Sequence, residues 1–163
     1  ALVLGDALAM ALLEARGFTR DEFAISHPGG NLGRRLLVKV RDVMHSGDAI
    51  PKVMTGTSLP EALLEMSSKC FGLTTIIGES GNLLGVFSDG DLRRTIDSGK
   101  NIQAIIIDEV MSTSFKYIDA NALAAEAARI MQESGVYVLI VKSKSQPVEG
   151  VLKMHDLLQS NVV

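Results

Sequence analysis

GVFSDGDL at residues 85–92 returns in altered form as GVLKMHDL at residues 150–157, and this repeat is the main evidence for the fold. Other matches lie 65 or 67 residues apart: Glu61-Ala62 with Glu126-Ala127, Met66 with Met131, and Val43-Met44 with Val110-Met111. A near-constant spacing through a whole segment indicates an internal duplication. The change from 67 to 65 places two extra residues in an early loop of the first copy.

Each copy has the same predicted order of elements: a short extended piece, an amphipathic helix, two strands joined by a turn, and a second helix. The predicted bounds are 59–69, 74–77, 83–87 and a helix from about Asp89 in the first copy, and 123–134, 137–141, 150–152 and 154–159 in the second. Each copy is therefore an α+β module of the order β-α-β-β-α. We place the first at 37–101 and the second at 102–163.

Such modules are small, and this has a consequence for their packing. A unit of about 50 to 60 residues is marginal alone, so we expect the two modules to share a core. Two similar modules packed about a pseudo-twofold axis leave a cleft with two related sites. The duplication therefore predicts a paired ligand site.

The composition excludes several classes of function. The chain of 163 residues has a formal net charge of −3 and no Trp, so it lacks the basic excess and the aromatic surface that favour nucleic acid. Its apolar opening contains Asp6 and is shorter than the roughly 20 residues of a membrane span. The single cysteine, Cys70, excludes a disulfide framework or a cysteine-rich metal site within one chain and predicts a cytoplasmic location. We expect no nucleic acid, no membrane and no metal.

The N-terminal segment, residues 1–36, has the pattern of two short helices and a loop. A helix rich in Ala and Leu is predicted to end at Gly17, and SHPGGNLG at residues 26–33 predicts a shaped loop. Taken locally, His27 in such a loop most often has a structural role. The chain begins without Met and without a capping signal, so we expect it to be a fragment.

Residues 85–92 resemble the signature of a CBS domain: Gly, an apolar residue, any residue, Ser or Thr, two further residues and Asp. The resemblance implies a tandem CBS pair, or Bateman module, that senses a nucleotide. Ser88 and the first amides of the following helix would face phosphate, and Asp91 would accept hydrogen bonds from ribose hydroxyls. The alternative is that Ser88 and Asp89 only cap that helix.

The second copy departs from this signature, since Lys153 stands where Ser or Thr is expected. The ammonium of Lys153 could meet a phosphate or a carboxylate, or it could be an ordinary solvated side chain, which is the interpretation that we favour for His155. His45 is a further candidate, in the loop that carries the extra residues. A lone histidine near a module boundary is, however, more often a solvent-exposed or capping residue. The predicted ligand-binding residues are Ser88, Asp89, Asp91, Arg94, His45, Lys153 and Asp156.

The N-terminal segment resembles a narrower family. The stretches GDALA at 5–9, ARGF at 15–18, DEFA at 21–24 and SHPGGNLGR at 26–34 are similar to the end of the SIS domain in D-arabinose 5-phosphate isomerases. The resemblance implies that residues 1–36 are the helical C-terminal remnant of an α/β SIS domain. His27 matches the catalytic histidine of that family, in the complete enzyme only.

This second resemblance implies a reaction for the complete protein. That reaction is the conversion of D-ribulose 5-phosphate to D-arabinose 5-phosphate, on the route to the lipopolysaccharide sugar Kdo. We expect the fragment alone to be inactive, because a SIS domain needs parallel strands and a phosphate-binding loop that these residues do not supply.

Three functional hypotheses follow. The first is a regulatory CBS pair that binds a nucleotide or a nucleotide-sugar, with CMP-Kdo as the economical feedback ligand, whose carboxylate Lys153, Arg93 or Arg94 could meet. The second is a structural module that holds the isomerase oligomer together without a ligand, and the third is a generic adenine-nucleotide sensor. No cofactor is required. The implied partners are the protein's own SIS domain and further copies, as a dimer of CBS pairs within a tetramer.

Overall fold

The structure of the protein is a computed structural model that describes residues 11–12, 14–17, 37–143 and 147–162. The predicted loop at 26–33 and the predicted catalytic role of His27 lie outside the described residues. In the part of the chain that the structure describes, no helix is long and apolar enough to cross a membrane.

The described chain forms two modules with the same element order. A short helix, α1 (Val40–Val43), precedes the first strand of the first module. The first module consists of β1 (Lys52–Met54), α2 (Leu59–Lys69), β2 (Leu73–Ile77), β3 (Leu83–Ser88) and α3 (Asp89–Asp97). The second consists of β4 (Tyr117–Ile118), α4 (Ala124–Ser134), β5 (Val138–Val141), β6 (Gly150–Lys153) and α5 (Met154–Gln159). Single turns of 3-10 helix occupy Gly47–Ala49, Ile102–Ala104 and Ile107–Glu109.

Each module has one three-stranded sheet. In the first sheet β1 is parallel to β2 and β2 is antiparallel to β3, and the second sheet repeats this arrangement with β4, β5 and β6. The predicted α+β class and the predicted duplication are confirmed. The strand β2 begins one residue before its predicted start and β3 ends one residue after its predicted end, because Leu73 and Ser88 pair in the same ladder.

The helix ends follow from local chemistry. The side chain of Ser58 accepts a hydrogen bond from the amide of Glu61 and the carboxylate of Glu61 accepts one from the amide of Ser58, a capping box that starts α2. The helix ends at Cys70 in the left-handed conformation, with φ 57°, and α4 ends in the same way at Gly135, with φ 65°. The two copies therefore start their second strands from the same backbone geometry.

Three apolar clusters of described residues stabilise the fold. One lies within each module, between its helices and its sheet. The third joins the two sheets and consists of Ile50, Phe71, Leu73, Val86, Ile140 and Val151. The modules therefore share a core, as their small size requires.

The segment before the first strand of each module packs on the other module. The amide of Val40 donates to the carbonyl of Ala122 at 2.9 Å, and the amide of Ile107 donates to the carbonyl of Thr57 at 2.9 Å. The carboxylate of Asp108 accepts hydrogen bonds from the Thr55 hydroxyl and from the amide of Gly56, which lower the pKa of Asp108. These crossed segments clasp the two modules together. The boundary placed between residues 101 and 102 stays a prediction.

Two glycines permit close backbone contacts between the modules. Val86 forms an isolated bridge with Ser112, and Val151 forms the corresponding bridge with His45. A Cβ atom on Gly85 would lie 2.8 Å from the carbonyl oxygen of Ser112, and one on Gly150 would lie 2.7 Å from that of His45. Because backbone atoms cannot yield as flexible side chains do, only glycine fits at these two positions.

We predict that Gly85→Ala destabilises the protein by about 1 to 3 kcal/mol, the usual cost of forcing extra volume into a packed site. The measurement is thermal unfolding followed by circular dichroism. The matched control is Gly90→Ala, whose Cβ would lie no closer than 3.5 Å to another atom. A Gly85→Ala protein that melts together with the control would contradict this account of the module contact.

Candidate ligand site

A cavity of about 480 Å³ lies between the two modules. Its walls come from β2, β3 and α3 of the first module and from residues between 112 and 116 and between 135 and 140 of the second. We call this cavity the first cleft. Its volume lies within the range of small-molecule sites in proteins.

The polar end of the first cleft lies at the start of α3. Asp91 has only 7% of its surface exposed, although it is a carboxylate. Its Oδ2 atom accepts hydrogen bonds from the amide of Ser88 at 2.9 Å and from the Ser88 hydroxyl at 2.6 Å. Its Oδ1 atom accepts one from Nη2 of Arg94 at 2.6 Å. Both oxygens of the carboxylate are therefore fixed in position.

The structure shows Ser88 in the capping role that was the alternative to phosphate binding. The Ser88 hydroxyl donates to Asp91 and accepts from the amide of Asp91 at 3.4 Å, and the amide of Asp89 donates to the carbonyl of Gly72 at 3.1 Å. These groups therefore already have partners within the chain. The cations that face the first cleft are Arg94, whose side chain is 72% exposed, and Lys116.

The other walls of the first cleft are apolar and aromatic. The apolar side chains that line it are Phe71, Leu73, Val86, Phe115, Val136, Val138 and Ile140. Tyr137 also lines the cleft and is 79% exposed, which is a large value for an aromatic ring at the edge of a cavity. An exposed ring beside an apolar wall is suited to stack against a nucleobase.

The second site is the position that the duplication relates to the first cleft. It contains the predicted residues His45, Lys153 and Asp156, together with Phe71. Nε2 of His45 lies 3.1 Å from Oδ1 of Asp156, and the amide of Lys153 donates to Oδ2 of Asp156 at 2.9 Å. Nζ of Lys153 lies 4.1 Å from the centroid of the Phe71 ring. These side chains contact one another.

The predicted ligand residues therefore fall into two groups. Ser88, Asp89, Asp91 and Arg94 all line the first cleft. His45, Lys153 and Asp156 meet at the second site. Their roles in binding a ligand stay predictions. The exposed ring of His155 contacts Gln159 of its own helix, with 2.9 Å between the two Nε2 atoms. Among the described residues, no group of three or more His, Cys, Asp or Glu side chains is placed to hold a metal ion.

Sequence reasoning did not identify several residues of the first cleft, among them Ser112, Phe115, Lys116 and Tyr137. A signal for one of them was present. The spacing of 67 residues that relates the two Val-Met pairs also relates His45 to Ser112. Tyr137 had no such signal, because its counterpart in the first copy is Gly72 and its role depends on the packing of the other module.

We predict that Ser88→Ala destabilises the protein by about 1 kcal/mol without any ligand, because the hydroxyl is part of the capping box of α3. Chemical denaturation gives the free energy of unfolding, and Ser67→Ala, at an exposed position of α2, is the matched control. Equal stability of the Ser88→Ala protein and the wild type would show that the hydroxyl has no structural role.

Comparisons with known proteins agree with this geometry. The profile of the CBS domain matches residues 40–98 and 107–162. Arabinose 5-phosphate isomerase KdsD of Pseudomonas aeruginosa is 53% identical over 162 residues, which cover 99% of this chain and 50% of that protein. KdsD of Escherichia coli K12 is 47% identical over 162 residues, with 99% and 49% covered. The chain thus spans about half the length of the curated relatives that it matches.

Solved structures share the fold. The structure of CBSX2 in complex with AMP has a TM-score of 0.64 at 22% identity, covering 76% of this chain and 95% of that chain. The CBS domain pair of protein MJ0100, in complex with 5′-methylthioadenosine and S-adenosyl-L-methionine, has a TM-score of 0.66 at 17% identity, covering 75% of this chain and 92% of that chain. The resemblances inferred from the residues are confirmed, and the chain belongs to the CBS domain family, as a tandem pair of CBS domains.

Proposed function

We propose that this chain is the regulatory CBS pair of an arabinose 5-phosphate isomerase and that its first cleft binds an anionic nucleotide or nucleotide-sugar, with CMP-Kdo as the leading candidate. The observation that carries the proposal is the first cleft itself. It combines a buried, fixed carboxylate at Asp91, an exposed cation at Arg94 and the exposed ring of Tyr137. A nucleotide presents a hydroxyl pair, a charged group and a flat base, which match these three features.

The Asp91 carboxylate would receive the ribose. Oδ1 accepts a single hydrogen bond from a protein donor, the one from Arg94, and a carboxylate oxygen has room for a second donor. Arg94 is exposed enough to turn toward a phosphate or a carboxylate of the ligand while the hydroxyls of the ribose bind Asp91. An anionic ligand would therefore gain a partner for its charge without leaving Asp91 unpaired.

The comparisons support a nucleotide as the ligand, and which base that nucleotide carries is a question for experiment. CBSX2 was solved with AMP, and the pair from MJ0100 was solved with two adenosine derivatives. CMP-Kdo is proposed because the curated relatives are arabinose 5-phosphate isomerases, whose reaction would feed Kdo synthesis. The activated end product of a biosynthetic route is a suitable feedback ligand for an enzyme that acts early in that route. Its carboxylate adds a second anionic group that Arg94 could bind.

A regulatory effect would arise from how the modules are connected. A ligand in the first cleft touches both modules, and α1, which leads back to the N-terminal segment, is hydrogen-bonded to the second module through Val40 and Ala122. A ligand that binds one relative placement of the modules better than another would shift the protein toward it. The catalytic region of the complete protein, for which we propose a SIS domain with His27 at its end, would sense that shift. We propose that the 163-residue chain alone has no turnover.

A structural role without a ligand is the second candidate function, and a specific observation favours it. Three large apolar side chains on different helices are strongly exposed: Leu64 at 71%, Ile96 at 54% and Leu158 at 53%. Apolar helix faces of this kind suit contact with a second copy of the chain. Oligomerisation and ligand binding are compatible, so the test must measure binding directly.

Isothermal titration calorimetry of the chain with CMP-Kdo, CMP, AMP and ATP tests the proposal. We expect CMP-Kdo to bind most tightly and Asp91→Asn to weaken it at least about tenfold, because a charged hydrogen-bond acceptor is lost. The matched control is Asp97→Asn, an exposed carboxylate at the far end of the same helix, which should bind as the wild type does.

Each other result assigns a different function. Preference for AMP or ATP would make the chain a generic adenine-nucleotide sensor. Absence of binding for all four compounds would leave the structural module as the function. Binding that survives Asp91→Asn unchanged would contradict the role of the first cleft.

A further inference from the structure

The two sites have the same backbone framework but different side chains. The spacing of the duplication places Lys153 where the first cleft has Ser88, His45 where it has Ser112, and Phe71 where it has Val136. The framework is shared because the bridge between Val151 and His45 repeats the one between Val86 and Ser112. The second site therefore has a lysine, a histidine and a phenylalanine where the first cleft has two serines and a valine.

Lys153 folds back into the second site. Its ammonium lies 4.1 Å from the centroid of Phe71, within the distance at which a cation is attracted to a ring face. Phe71 itself is 8% exposed and belongs to the core that joins the two sheets, so the ring is held in place. In the first cleft neither Ser88 nor Val136 can form such a contact, because one lacks the charge and the other lacks the ring.

His45 also contacts other residues of the second site. Its Nε2 atom lies 3.1 Å from Oδ1 of Asp156, the oxygen that corresponds to the one that Arg94 contacts in Asp91. Its ring also packs edge-on against Phe71, with 5.1 Å between the ring centroids. The corresponding hydroxyl in the first cleft, that of Ser112, turns away and donates to the carbonyl of Ser114 at 3.1 Å.

We propose that the side chains of Lys153 and His45 occupy the second site and close it to ligands. Each chain would then bind one ligand, in the first cleft. The ligand number rests on the proposed function, whereas the closure does not. A ligand at the second site would have to separate Lys153 from Phe71 and His45 from Asp156. It would still find the Phe71 ring where the first cleft has the smaller Val136.

The closure can be tested without any ligand. The ring current of Phe71 should shift the ε-methylene protons of Lys153 upfield of those of the other lysines in the proton NMR spectrum, and Phe71→Leu should remove that shift. If Phe71→Leu does not fold, Lys153→Arg identifies the shifted signal by its disappearance. Lys153 protons at the position of the other lysines in the wild type would overturn the proposal.

The ligand number is tested by calorimetry with CMP-Kdo and AMP. Wild type should bind one equivalent per chain. Asp91→Asn in the first cleft should weaken that binding at least about tenfold, because a charged hydrogen-bond acceptor is lost. The matched control is Asp156→Asn, the same change at the second site, which should bind one equivalent as the wild type does.

Each outcome of the titration has a definite meaning. Two equivalents in the wild type, or binding that Asp156→Asn weakens as much as Asp91→Asn does, would overturn the proposal. If no protein binds either compound, the proposed function fails, and the NMR measurement alone decides whether the second site is closed.

Discussion

The constraint on which the structure depends is the close approach of backbone to backbone where the two modules cross. Gly85 and Gly150 each lie against a carbonyl group of the segment that precedes the other module's first strand, and neither position has room for a Cβ atom. Each site consequently combines the start of a helix from one module with a loop segment from the other. A ligand in such a site contacts both modules, which is the requirement for a signal that acts through their relative placement.

That shared framework leaves the side chains free to diverge. The strand order and pairing, the bridges and the two close-packed glycines repeat in both copies, while the residues that face the two sites are different. In the first cleft, small side chains leave a cavity with a fixed carboxylate and an exposed guanidinium. In the second site, a lysine, a histidine and a phenylalanine contact one another instead. One duplicated backbone thus supports one open site and one filled site.

The sequence predicted the fold well, since the repeat of spacing 65 carries the apolar pattern of both sheets and their helices. It also pointed to Asp91 and Ser88, which line the first cleft, because residues 85–92 resemble the signature of a CBS domain. It could not decide between capping and ligand binding at Ser88, since the same residue types serve both purposes. The sequence could not predict that Phe71 and Tyr137 lie at the two sites, because their positions depend on contacts that form only when the two modules pack together.

An amide NMR titration of the wild-type chain with CMP-Kdo would show whether the first cleft is open to a ligand while the second site is closed. We expect changes in chemical shift around residues 89–94, 112–116 and 136–138, with no changes of similar size around residues 45–48 and 153–156. Equal changes in both groups, or changes confined to the second group, would contradict this expectation.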